Sequence, residues 1–554
     1  MKRGVTKREP RGSEGFVSIP KTGQLVFLYV LFAIGALVVY SPALEGEFLS
    51  DDLHYVRDNV YVHTLSVDNV LAILDPTGGA TVAVVNYTPV HLLIHAVAWA
   101  AFGQDVMGHH VINVLLHALA SILLLALLMR SGVPGAAALL GSLFFLLHPA
   151  NVEAVAWISQ LKSSAAMVLS LASLLAFWNR PVLATALFCV ALFAKPTAAF
   201  VLPVALVFEW TRDTRRPAAG LQRWWAYGAA GLIFVLYAVI EFTAHQRSGA
   251  AEATLHGTPL VLIATVVALA MRYLVMAASS YGVSAFHEPD PVTSVFDPWW
   301  LAALPLLVVL AWRWGVVLRD RRPEAAYWTW AVVSFAPISQ VFPFLYPMAD
   351  RYLYFILPGL IGGVLLAGVD LLERKESTSL PAGVRRGLLI AVVLVLCVFT
   401  WHSHDRSKIW RKAIFVSTDA ALHYPNGVSA QLLSAKRAAQ IHDVETATAR
   451  IRAAMDRGFY RFQQLDGDPG FAPIREHPEF RALINEIAEI RIEMFKELEN
   501  PTQLELRTVA RAHAVRGEID ETIAVLKRAL AVGGPKDAET RRDLAAIAKQ
   551  RGLR

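Results

Sequence analysis

Residues 24–52 read QLVFLYVLFAIGALVVYSPALEGEFLSDD, an unbroken apolar run followed within a few positions by two acids, Asp51 and Asp52. A run of this length crosses a bilayer, so the acids stand in water just beyond the membrane, where a lipid-carried substrate presents its head group. A carboxylate held there is placed to take a proton from an acceptor hydroxyl. Two acids in a loop are, taken alone, more often a solvated turn or a helix cap. The reading therefore depends on their surroundings.

Of the 554 residues, 55% are hydrophobic and 17% charged, and apolar surface on that scale needs lipid to cover it. The expected fold class is all-α, a polytopic membrane helical bundle. Composition divides the chain into a basic N-terminus (1–23), a transmembrane domain (24–401) with an outer loop at 43–107, and an Arg-, Glu- and Ala-rich soluble tail (402–554). The two cysteines, Cys189 and Cys397, fall inside apolar runs, so no disulfide framework or Cys/His metal cluster is expected. Lys2, Arg3, Lys7, Arg8, Arg11 and Lys21 precede a run lacking an A-x-A cleavage site, which favours a retained anchor over a signal peptide. The net charge of +6 then reads as membrane topology, and nucleic-acid binding is excluded.

Basic loops remain cytoplasmic. Crossings are expected near 24–42, 108–129, 134–148, 163–178, 181–194, 196–210, 224–241, 299–318, 327–343, 352–372 and 387–401, about eleven in all. Segments 87–103 and 259–281 are treated as interfacial or re-entrant, because this places Arg130, Arg180, Arg212, Arg215, Arg216, Arg223, Arg319, Arg321, Arg322, Arg374, Lys375, Arg385 and Arg386 inside. The N-terminus is then cytoplasmic and the tail extracytoplasmic. The acid-bearing connections 43–86, 149–161 and 282–298 share the outer face. The Ala-rich composition points to a bacterial inner membrane. In the tail, small and apolar residues recur at helical spacing over Leu506–Val515 and Glu521–Ala531, with a turn at Gly517 and an end at Gly533-Gly534-Pro535. This is the manner of tetratricopeptide units, and a weaker pair occupies 408–457.

Several motifs fall on the outer face. Phe48 through Val56 holds Asp51, Asp52 and His54. Asn86-Tyr87-Thr88-Pro89-Val90 opens a helix that places His91 and His95 on one face. His110, Asn113 and His117 form a polar stripe that must turn into the bundle or a wet cavity. The stretch from His148-Pro149-Ala150-Asn151-Val152-Glu153 to Lys162 adds an acid and a cation, each equally readable as an interface anchor. Lys195, in Ala194-Lys195-Pro196, and Arg351, in Asp350-Arg351-Tyr352, are cations at head-group level, where a lipid phosphate binds well. Arg272 lies inside an apolar segment and is a functional candidate for that reason.

Taken in order, F-x-x-DD, YTPVHLL, HHVINVLLH, HPANVEAVAWISQLK, AKP, ADRYLY and a repeat-like tail resemble the transmembrane and tetratricopeptide repeat-containing O-mannosyltransferase-like proteins and their bacterial relatives, members of the GT-C glycosyltransferases. The resemblance implies inverting transfer of a sugar, mannose by analogy, from a polyprenyl-phosphate carrier to a protein or peptide hydroxyl. Asp51 and Asp52 match the acidic pair, and Lys195 and Arg351 match basic positions. Glu153 joins the acids, and Lys162 and Arg272 the phosphate-binding set, while His54, His110, Asn113, His117 and His148 are expected as cavity polar groups. No cofactor is required, although paired acids are able to hold a divalent cation. A different class of function, a non-catalytic scaffold recruiting partners through its repeats, would leave Asp51 dispensable. A transporter using the polar stripe lacks a convincing inverted repeat.

Overall fold

A computed structural model describes residues 22–84, 86–212, 221–247, 258–339, 347–374, 381–496, 501–533 and 536–550. The N-terminal basic residues, Arg215, Arg216, Lys375, Gly534, Pro535 and part of the expected crossing at 327–343 lie outside them. The described chain is all helical. In order it forms α1 (Thr22–Tyr40), α2 (Val67–Leu74), α3 (Gly79–Val84), α4 (Pro89–Phe102), α5 (Val106–Arg130), α6 (Gly135–Leu147), α7 (Val152–Ala156), α8 (Leu161–Ala176), α9 (Pro181–Ala194), α10 (Val201–Trp210), α11 (Leu221–Arg247) and α12 (Pro259–Ser279). There follow α13 (Pro298–Arg319), α14 (Glu324–Phe335), α15 (Asp350–Arg374), α16 (Ala382–Ser407) and the tail helices α17 (Ala413–His423), α18 (Val428–Gln440), α19 (Val444–Met455), α20 (Phe462–Gly467), α21 (Pro478–Lys496), α22 (Gln503–Val515), α23 (Ile519–Val532) and α24 (Asp537–Gln550).

Local chemistry explains several boundaries. Proline sits at the first turn of α4, α9, α12 and α13, where its missing N–H is one the helix could not have used. Asp105, Thr258 and Asp297 cap the first turns of α5, α12 and α13 with side-chain oxygens.

The expected count of crossings is corrected. Among the described residues 8 helices are long and apolar enough to span a bilayer, or 9 if α6 and the helical stretch after Pro149, which meet at a 50° bend, count as one. The expected crossings at 181–194 and 196–210 are short helices, and in the described part of 327–343 the 12-residue α14 ends at Phe335 in the turn Ala336–Ile338. The 259–281 segment, expected to be interfacial or re-entrant, is one continuous helix of 21 residues, which excludes a re-entrant break within it and is compatible with an interfacial helix. Apolar runs fix where lipid or core is needed, but prolines and buried polar anchors cut the runs into pieces that only tertiary contacts can seat.

Charge separates along the bundle. One end gathers arginines: Arg223 bridges Glu209 and the Trp178 carbonyl, Arg130 lies over Trp178 and Arg321 over Trp210, and Arg313 and Arg322 pair with Asp370. The opposite end carries the 43–62 loop, the 148–162 segment and the tail. The helix α16 runs on past 401 to Ser407, so the tail begins in the turn Lys408–Arg411. It has its own core, built on Ile451, Phe462, Phe471, Phe480, Ile484 and Ile487. The paired helices α18/α19 and α22/α23 turn at His442 and Gly517, whose φ angles are 58° and 78°.

Two glycines are constrained in opposite ways. A Cβ on Gly359 would stand 2.7 Å from the Ala331 nitrogen and 2.8 Å from the Tyr327 carbonyl oxygen, where α15 packs on α14, whereas one on Gly517 meets nothing but adopts a disfavoured φ. Gly359→Ala is expected to cost about 3 kcal/mol or more, since backbone cannot yield, and Gly517→Ala about 1 kcal/mol. Thermal unfolding of the purified variants, with Gly359→Ala failing far earlier, checks the contrast.

Candidate functional site

The acidic pair is divided by its environment. Ser50, at φ 49°, reverses the chain and brings Asp52 to the start of the single helical turn Leu53–Arg57. Asp52 is 1% exposed, and its carboxylate accepts hydrogen bonds from the amides of Leu49 (2.9 Å) and Ser159 (2.7 Å). Burial pushes its pKa up to about 7, although those amides favour the ionised form. The Trp157 indole N–H donates to the Leu49 carbonyl at 3.3 Å, and Asn113 Nδ2 donates to the carbonyls of Trp157 and Ile158 at 3.1 and 3.3 Å. Asp52 thus ties the 49–52 loop to the 157–160 turn. Asp51 is half-exposed, with the Ser50 hydroxyl 3.5 Å from its Oδ1. Since both Asp52 oxygens are engaged by amides, the pair offers a divalent cation only Asp51.

The 157–160 turn delivers the next helix to the cations. Lys162, in the first turn of α8, donates to the Tyr55 hydroxyl at 3.2 Å and lies 4.4 Å over its ring. Lys195, in the break between α9 and the Pro196 turn, donates to Ser163 Oγ at 2.7 Å and Gln160 Oε1 at 3.4 Å and lies 5.3 Å over Phe355. Neither lysine has a carboxylate within ion-pair distance among the described residues. Arg351 differs: its backbone N–H donates to Glu153 Oε2 at 2.7 Å, its guanidinium to Glu153 Oε1, and it lies 5.6 Å over Trp157. Burial, with Lys162 and Arg351 beside it, pushes the Lys195 ammonium well below the usual lysine range, so three basic groups meet one buried acid, Glu153, and an added anion would hold the proton on Lys195. A cation in the first turn of α8 also opposes that helix's dipole, and the imbalance is one that an anion would relieve.

A further acid went unread in the sequence. Glu241, in α11, accepts from the Tyr87 amide at 2.8 Å, while the Tyr237 hydroxyl donates to the Tyr87 carbonyl at 3.1 Å. An acid within an otherwise apolar run was the available signal.

The remaining expected residues have structural partners or lie elsewhere. His117 joins the Tyr354 hydroxyl (3.1 Å) and the Leu146 carbonyl (3.1 Å), and His148 joins Ala277 O (3.1 Å) and Ala150 N (3.2 Å). His110 is buried close to the Ala156 backbone. The polar stripe therefore faces the bundle interior, where Asn113 and His117 secure backbone carbonyls. His54 is exposed, and Arg272 lies 4.6 Å over Trp299, a different neighbourhood from that of Lys195. His91 and His95 approach to 2.8 Å between Nε2 atoms.

No family model and no curated protein matches the chain. A solved structure does resemble it. This is the crystal structure of ArnT from Cupriavidus metallidurans bound to undecaprenyl phosphate, with 14% identity, 92% of this chain and 80% of that one covered, and a TM-score of 0.37.

The Asp52 pKa yields a signed expectation. Its folded value, about 7, stands above the 3.8 of a free aspartate, so the folded state holds more proton than the unfolded one between those limits. Its contribution to stability must fall as pH rises from about 4 to 7 and level off above. Asp52→Asn keeps one carbonyl acceptor, faces an amide donor with its own NH₂ and loses the titration. It should cost about 1–3 kcal/mol at low pH, with a deficit relative to the unsubstituted protein that narrows towards pH 7. Unfolding midpoints at pH 5, 6, 7 and 8 measure this; a pH-independent deficit would remove Asp52 as the titrating group.

Proposed function

We propose that the chain is an integral-membrane glycosyltransferase of the GT-C type that moves a sugar from a polyprenyl-phosphate carrier to a hydroxyl of a protein or peptide. The observation that carries this reading is that, among the described residues, Lys162 and Lys195 hold only neutral partners, beside a loop that exposes Asp51. Unpaired cations in a half-buried setting suit a phosphate, and a neighbouring carboxylate suits a hydroxyl that must lose its proton.

In this mechanism Asp51 accepts the hydroxyl proton as the oxygen attacks the sugar's anomeric carbon. The bond from that carbon to the phosphate oxygen breaks on the opposite face, so configuration inverts. The electron pair leaves with the polyprenyl phosphate, and Lys162 and Lys195 stabilise its developing charge. Asp52 holds the loop, while Arg351, already paired with Glu153, orders the wall of the site. Glu153 is thereby read as the partner of Arg351 and not as a second base, and Arg272 as an aromatic-stacked cation outside the phosphate site. Mannose as the sugar, and tetratricopeptide-like pairing of the tail helices to receive the acceptor, complete the proposal. The arginine-rich end is read as cytoplasmic by the positive-inside rule, which places the site and tail outside a bacterial inner membrane.

Asp51→Asn should lower turnover by about 10²- to 10⁴-fold with unchanged folding, measured as donor loss over a panel of polyprenyl-phosphate sugars. Full turnover in that variant would eliminate Asp51 as the base. Lys162→Ala and Lys195→Ala should each raise the donor KM, and the double variant should raise it further. Arg351→Ala is the less informative change, because it strands a buried Glu153 and should destabilise by about 3–5 kcal/mol.

Topology has its own test. In a chain with both native cysteines replaced by Ala, Val67→Cys should react with an impermeant reagent added to intact cells and Arg319→Cys should not; the reverse pattern would invert the bundle.

A further inference from the structure

The tail is joined to the site by buried polar contacts that the proposed chemistry does not use. Asp350, the residue before Arg351, is 2% exposed and accepts from the Ser284 amide (3.2 and 3.1 Å) and from His287 Nε2 (2.7 Å). A carboxylate only accepts, so Nε2 carries the proton, and in the neutral ring the other nitrogen is an acceptor. The other nitrogen, Nδ1, lies 2.9 Å from the hydroxyl of Tyr424, which follows tail helix α17. That contact completes a path from Tyr424 through His287 to Asp350.

The same segment is held a second time. Asp419 of α17 accepts from the Ala285 amide at 2.7 Å and from both Arg406 terminal nitrogens at 2.7 and 3.1 Å, and Arg406 in turn stands 4.0 Å from Asp350. Glu288 accepts from the Val428 amide at the start of α18 at 2.9 Å. The root of the tail also meets the acidic loop: the Glu47 amide donates to the Arg411 carbonyl at 3.1 Å, and the Ala413 amide donates to Glu47 Oε1 at 3.2 Å. Trp410 stacks on Trp157 at 5.3 Å, and Trp157 is the residue whose indole holds Leu49.

We propose that His287 is a positioning residue of the site: by bridging Tyr424 and Asp350 it makes docking of the tail set the backbone at Arg351, and with it the Arg351–Glu153 pair that walls the lipid-phosphate site. The role in ligand binding rests on the functional reading above; the mechanical coupling does not. An acceptor engaged by the tail would thereby act on the donor site through residues 284–288, without contacting it.

The substitutions are graded. Tyr424→Phe removes one hydroxyl, His287→Gln retains an amide able to reach Asp350, and His287→Ala removes both contacts. In the full-length protein, hydrogen exchange should rise at residues 349–354 in His287→Ala, less in Tyr424→Phe, and least in His287→Gln, with residues 503–532 of the distal tail unchanged as the folding control. Binding of undecaprenyl phosphate should weaken about 5- to 10-fold in His287→Ala and recover partly in His287→Gln. Tyr424→Phe combined with Arg351→Lys should weaken it no more than Arg351→Lys alone, the signature of coupled positions. Unchanged exchange at 349–354 in His287→Ala would overturn the proposal, as would strictly additive effects on binding. Should the unsubstituted protein fail to bind undecaprenyl phosphate, the functional reading falls, and the exchange pattern alone decides the coupling.

Discussion

The structure depends on satisfying an irregular stretch of backbone inside a helical bundle. Between α6 and α8 the chain breaks at Pro149 and again at Trp157, and each break leaves amides and carbonyls that lipid cannot satisfy. Side chains from two other places supply partners, and His148 at the first break ties the stretch to a third element. Asn113 of α5 caps two carbonyls, Asp52 of the first loop accepts the Ser159 amide, and His148 contacts the Ala277 carbonyl of α12. Asn151 closes the stretch from within by donating to Phe145 O at 2.6 Å. The residues that make the break tolerable are therefore the ones that gather α5, α12 and the acidic loop around it.

Function grows out of that solution. A straight helix through 135–176 would spread Glu153, Gln160, Lys162 and Ser163 along a rod. The bent segment turns Glu153 towards Arg351 and Gln160 and Ser163 towards Lys195. Three basic groups then share one buried acid, and the arithmetic of charge leaves two lysines with dipoles and rings in place of a counter-ion. Such a surplus is costly unless a ligand supplies negative charge part of the time, which is why the lysines and not the arginine define the proposed phosphate position.

The tail belongs to the same balance of forces. Asp419 is a buried tail acid whose donors, the Ala285 amide and Arg406, come from the membrane side, so separating the tail would leave its charge uncompensated. Removing one partner of such a network is far more damaging than never having built it. Membrane domain and tail accordingly meet through hydrogen bonds of fixed direction, which locate the tail more tightly than apolar contact would.

The sequence by itself determined much of this. Apolar runs, initiating prolines and capping acids specify the helices, since these signals act within a few residues of where they stand. The placement of charges beside crossings also made Asp51, Glu153, Lys195 and Arg351 legible, because a charge next to lipid is expensive wherever the chain later folds. What it could not determine was partnership. Asp51 and Asp52 are chemically identical neighbours, and only the amide of Ser159, 107 residues on, makes one a staple and leaves the other free. Arg351 and Lys195 both read as phosphate ligands until Glu153 claims the arginine. His287 and Tyr424 give no local sign of their roles, and Glu241 shows only that an acid in an apolar run needs a partner, since hydrogen bonds are directional and short and their partners come from remote segments. Spans cut short, as at α9 and α14, were overcounted for the same reason: hydropathy measures the need for cover, and tertiary packing decides whether lipid or protein provides it.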